Sequence, residues 1–177
     1  MNIAIAGHSQ VPEDFSYYNA VIRVFKKPGA LASRFFDYPE LTGVLNYQYD
    51  LVILWIGSND ITPGCGARYL PERICYIAGE IQRWTGADIR IILVEPRDCP
   101  PGNRNCITLA EYKRIAKAVN KKIIQRCRYR NTWGTISTFG FPAFHLATDG
   151  VHFDRRAREV IEERIHGSIR RWRRGRV

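Results

Sequence analysis

A chain of 177 residues with 45% apolar and 25% charged side chains can bury a core as one domain, and nothing in its composition marks it as disordered or membrane-spanning. Its five cysteines (Cys65, Cys75, Cys99, Cys106 and Cys127) form no C-x-x-C pair, and the N-terminus lacks the basic and long apolar regions of a leader, so an intracellular protein, cytoplasmic or nuclear, is expected. The net charge of +10 is uneven: residues 111–177 hold 17 basic and 6 acidic side chains against 10 and 11 in residues 1–110. That asymmetry fits an anionic partner, nucleic acid before a membrane surface, and fits equally well a pair of solvated helix faces with a frayed tail.

The elements alternate along the chain. Ile3-Ala4-Ile5-Ala6 running into Gly7 reads as a short buried strand, and Pro12 to Asn19 as a loop or short helical turn. Ala20–Phe25 is a second strand, closed by the turn Lys26-Lys27-Pro28-Gly29, and a helix is expected from Ala30 to Tyr38 until Pro39 interrupts it. Asp50–Gly57 is a continuous apolar strand suited to burial on both faces. After the loop Thr62–Arg68, the positions Leu70, Ile74, Ile77, Ala78 and Ile81 have helical spacing up to the stop at Gly86. Ile89–Val94 is the next strand, and Arg97–Cys106 a long irregular loop. Thr108 and Glu111 form a capping box, with Ile107 and Tyr112 as its staple, for a helix continuing through Ile115, Val119, Ile123 and Cys127. Thr132–Phe139 reads as the last strand. Asp154 then caps a C-terminal helix with Ala157, Val160, Ile161, Ile165, Ile169 and Trp172 on one face. Strands alternating with helices predict a three-layer α/β/α sandwich with a parallel sheet, over residues 1–170, with 171–177 as a basic tail.

Three segments follow strands and so share the carboxyl edge of such a sheet: Ser9 after the first, Gly57-Ser58-Asn59-Asp60 after the central one, and Asp149-Gly150-Val151-His152 before the last helix. They contain the parts acyl transfer needs. A serine hydroxyl requires an imidazole to take its proton, the imidazole requires a carboxylate to hold its tautomer, and the developing oxyanion requires N–H donors. Singly, each segment is as readily a strand-end turn. No G-x-G-x-x-G follows the first strand and no P-loop is present, so dinucleotide and NTP binding lose their usual support. Neither cofactor nor metal is expected; Cys99 and Cys106 bracket a Pro-rich loop without histidine, and Cys65 reads as a passive thiol near the site.

In order and spacing, Gly7-His8-Ser9, Gly29 in Lys27-Pro28-Gly29-Ala30, Gly57-Ser58-Asn59-Asp60 and Asp149-Gly150-Val151-His152 resemble the blocks of the SGNH (GDSL-type) hydrolases over nearly the whole chain. The resemblance implies a flavodoxin-like fold and a serine esterase of small acyl or acetyl groups. It implies Ser9 as nucleophile, His152 as base, Asp149 as its orienter, and an oxyanion hole of the Ser9 and Gly29 amides with the Asn59 side chain. The aspartate that usually precedes the family's serine is His8 here. Adjacent side chains on a tight turn point apart, so His8 is not expected to be the base. More loosely, the chain resembles the esterase-like domains of LINE-type retrotransposon proteins and the RNA-binding Oskar domain, which has the fold without the catalytic set. A nucleic-acid-binding module is therefore the alternative function, with RNA or DNA held by Arg170, Arg171, Arg173, Arg174 and Arg176, and Trp172 either stacking on a base or buried in the core.

Overall fold

The computed structural model describes residues 1–62, 67–95, 107–138 and 152–175. After Asn2, strand β1 (Asn2–Gly7) carries small and branched apolar side chains, all buried. It lies between β2 (Val21–Lys26) and β3 (Leu51–Trp55); β3 pairs with β4 (Asp88–Ile92), and β4 with β5 (Trp133–Ile136). All four pairings are parallel, in the order β2-β1-β3-β4-β5. That is the flavodoxin-like arrangement, whose strand order reverses between β1 and β3.

The period of two along the strands divides the core. Ala4, Ala6, Val52, Leu54, Ile89 and Ile91 face helices α2 (Tyr69–Thr85) and α3 (Leu109–Cys127), while Ile3, Ile5, Leu51, Ile53 and Trp55 face α4 (Arg155–Arg174). The three layers are therefore those expected, and the caps are too: Thr108 accepts the Glu111 amide at the start of α3, and Asp154 the Ala157 amide at the start of α4. Among the described residues no helix is long and apolar enough to cross a membrane.

Two expectations need correction. Ala30–Tyr38 is not an α-helix but the 3-10 segment Ala32–Asp37, with Arg34 outside helical dihedrals. Pro39 then begins a helix rather than only ending one: Tyr38 is extended, as a residue before proline prefers, and Pro39 is the first residue of the single turn α1 (Pro39–Thr42). The 3-10 segment is held from outside. Asp60 accepts the Ala32 and Ser33 amides at 2.7 and 2.9 Å, and Arg73 of α2 donates to the carbonyls of the same two residues. The last strand is also shorter than expected, Trp133–Ile136, with Phe139 outside the described residues.

Candidate active site

β1 ends in a tight turn. The Val11 amide donates to the His8 carbonyl at 3.1 Å, which leaves Ser9 and Gln10 as its two central residues. Gly7 is required there because a Cβ would sit 1.9 Å from the Trp55 carbonyl oxygen, the acceptor of the His8 amide. The chain thus leaves the sheet pressed against β3, and Ser9 stands at the strand-order reversal, where open α/β sheets bind ligands.

His152 reaches Ser9 from the loop before α4. Ser9 Oγ and His152 Nε2 are 3.1 Å apart and partly buried. With the imidazole proton on Nδ1, Nε2 accepts from the serine hydroxyl. Neighbouring residues hold this approach. Phe153 is buried against Trp55, its amide donates to Gln10 Oε1 at 3.2 Å, its carbonyl accepts from Arg158, and Asp154 caps α4. Asp149, expected behind His152, lies outside the described residues.

His8 turns inward. It is 1% exposed, and its Nδ1 accepts the Gln10 amide at 3.3 Å. A backbone N–H can only donate, so the ring proton sits on Nε2, which faces Ser58 Oγ at 3.3 Å and Glu95 Oε1 at 3.6 Å. Glu95 is fully buried; Trp55 Nε1 donates to its other oxygen, and the Tyr112 hydroxyl to its carbonyl. His8 therefore supports the Ser9 turn from beneath. The His8–Ser58–Glu95 network and the Gln10 tether do not follow from sequence patterning. The one legible hint was a glutamate ending an apolar strand.

The segment after β3 is fastened to the segment after β2. Gly57 takes φ +115°, a conformation that glycine adopts without a Cβ clash. Asn59 Nδ2 donates to the Ala30 carbonyl at 3.1 Å, and one of its two N–H groups is thereby committed. Gly29, at φ +72°, lies in the turn closed by the Ala30 amide on the Lys27 carbonyl. Burial pushes the Asp60 carboxyl above its ordinary range, against the opposing pull of the Ser33 and Ala32 amides and of His8. Ser9, Gly29, Asn59 and His152 are thus carried on four segments cross-linked at one edge of the sheet.

A cleft of about 220 Å³ opens beside Ser9, lined by Pro12, Lys26, Arg158 and Glu162 among others. Lys26 pairs with Glu13 at 2.9 Å and holds that carboxyl below its usual range. Burial, with Asp14 nearby, pushes Glu162 up. Cys75 and Cys127 are buried free thiols, Cys75 raised and Cys127 pushed up to about 12, both chiefly by burial. Both are therefore poor nucleophiles. Cys65, Cys99 and Cys106 lie outside the described residues, and among those described no group of three or more His, Cys, Asp or Glu side chains could hold a metal ion.

No family model matches the sequence. No curated protein matches it either. Solved structures do share its fold. A serine-to-alanine mutant of an acetyl esterase, solved with acetate ion, aligns at a TM-score of 0.74 and 13% identity over 99% of each chain. A psychrotrophic esterase from Pseudoalteromonas, inhibited by monoethylphosphonate, aligns at 0.68 and 14% identity over 97% of each. An SGNH hydrolase candidate from Slackia heliotrinireducens aligns at 0.69 and 15% identity, over 96% of this chain and 98% of its own. The chain has the SGNH/GDSL hydrolase fold.

Proposed function

We propose that this chain is a serine esterase of short acyl groups, acetyl among them. The observation that carries the reading is Ser9 Oγ at 3.1 Å from His152 Nε2, at the sheet edge where such folds bind ligands. Ser9 Oγ attacks the ester carbonyl carbon as its proton passes to His152 Nε2. The resulting oxyanion is held by the Ser9 and Gly29 amides and Asn59 Nδ2. The intermediate collapses, the C–O bond to the alcohol breaks, and His152 returns the proton to the departing oxygen. Water, deprotonated in turn by His152, releases the acid and restores Ser9. Asp149 orients His152 and stabilises its charged form.

A fluorophosphonate probe tests this directly. Intact mass should show one adduct on the wild type, none on Ser9→Ala, and labelling slowed at least about a thousandfold in His152→Ala. A wild-type chain that stays unlabelled, or an adduct that survives Ser9→Ala, overturns the assignment.

A further inference from the structure

The tertiary structure divides the basic third of the chain between two poles. Arg155, Arg156 and Arg158 begin α4 at the Ser9 end of the sheet. Arg170, Arg171, Arg173 and Arg174, exposed on its last turns, stand at the opposite end. The register fixes this: Ile3 is level with Leu51, Leu51 with Asp88, and Ile89 with Trp133, so Asp88 marks the amino ends of the strands. Trp172 Nε1 donates to Asp88 Oδ2 at 2.6 Å, which pins the end of α4 there. The turn from α3 into β5 arrives at the same place with Arg128, Tyr129 and Arg130 exposed. Arg90 and Arg171, from β4 and α4, line one cleft of about 270 Å³ with Asn131, Thr135 and Ser168. Two charge clusters forty or more residues apart thus form one surface, roughly 15–20 Å of strand away from Ser9.

We propose that this pole binds the phosphate backbone of single-stranded nucleic acid without reading its sequence. Arginine is the cation suited to it, because the planar guanidinium presents paired donors to phosphate oxygens. Two acids at this end, Asp88 and Asp50, accept from Trp172 Nε1 and the Asn2 amide, and the exposed arginines outnumber them. Tyr129, 89% exposed between Arg128 and Arg130, offers a ring face on which a base can stack. Trp172 is not that platform, since it is buried and hydrogen-bonded. Anionic lipid offers the same phosphate chemistry, and the vesicle titration below separates it from nucleic acid. Arg176 lies outside the described residues. The proposal stands apart from the role of Ser9.

Fluorescence anisotropy with a labelled single-stranded oligonucleotide of mixed sequence tests it, titrated at several salt concentrations. The wild type should bind at low salt and weaken steeply as salt rises. Reversing Arg128, Arg130, Arg173 and Arg174 to Glu should weaken binding at least about thirtyfold and lower the log–log salt slope by roughly 2–3, at about 0.7 per phosphate contact. Arg→Gln at the same four positions, which removes charge without adding repulsion, should weaken binding in the same direction and serves if the reversed chain unfolds. Tyr129→Ala should lose about tenfold with the salt slope unchanged. A control reversing Lys113, Lys117, Lys121 and Lys122, all exposed on α3, matches the change in net charge. Equal losses in the control, no association at low salt, or binding to anionic phosphatidylserine vesicles but not to the oligonucleotide would each overturn the proposal.

Discussion

Gln10 Oε1 accepts the Phe153 amide at 3.2 Å, so the residue after Ser9 is tied to the residue after His152. The Ser9 and His152 side chains come from segments 143 residues apart. A direct bond between their backbone neighbours is what keeps the 3.1 Å approach from being left to two independent loops. Misplacement of about 1 Å in such a pair costs up to a hundredfold in rate.

Gln10→Ala should therefore lower kcat on a short aryl ester by about ten- to a hundredfold while KM changes little. Gln10→Glu, which keeps an acceptor for the Phe153 amide, should recover most of that loss. Equal activity in the alanine variant would show that the Phe153 anchor against Trp55 positions His152 unaided.

Asn59→Ala should reduce kcat by roughly a hundredfold to a thousandfold if its amide stabilises the oxyanion, since such a donor acts chiefly in the transition state. The fluorophosphonate adduct on Ser9 should still form, more slowly. Because Asn59 also donates to the Ala30 carbonyl, thermal unfolding is measured in parallel. A fall in melting temperature with unchanged kcat would assign Asn59 to loop structure alone.

The pair His8 and Glu95 should be coupled in stability. His8→Leu removes the imidazole facing Glu95 and Ser58, and it should destabilise the chain by about 1–3 kcal/mol, the usual cost of taking a partner from a buried polar group. Glu95→Gln alters the same contact from its other side. Denaturant unfolding of the two single variants and the double measures the interaction. Strict additivity would mean that the 3.6 Å approach carries no energy.

Asp60→Ala should leave the Ala32 and Ser33 amides without their acceptor and cost about 2–4 kcal/mol, or ~5–15 °C in Tm for a chain of this size. Asp60→Asn keeps one acceptor oxygen and should lose less. Calorimetry distinguishes the two. A loss of under ~1 kcal/mol in the alanine variant would mean that Arg73 alone holds the 3-10 segment.

Local chemistry made the layers and most elements legible in the sequence. Continuous apolar runs suited buried parallel strands, helical periodicity marked α2, α3 and α4, and Thr108 and Asp154 cap their helices as read. Ser9, Asn59 and His152 were nameable because their segments flank elements at one edge of a parallel sheet, while Gly29 was implied only by the family resemblance. What needed the fold were contacts between segments distant in the chain. Asp60 turned an expected helix at Ala30–Tyr38 into a 3-10 segment by satisfying its amides from 27 and 28 residues away. Gln10 met Phe153 and His8 met Glu95 only once β1, β4 and the loop before α4 were brought to one edge. The basic residues of α3 and α4, read along the chain as one excess of charge, were separated by strand register into an arginine pole remote from Ser9 and a smaller group beside it. Periodicity records which face of an element is buried, while a partner across the sheet leaves no spacing in the sequence, because tertiary contacts depend on distance in space and not along the chain.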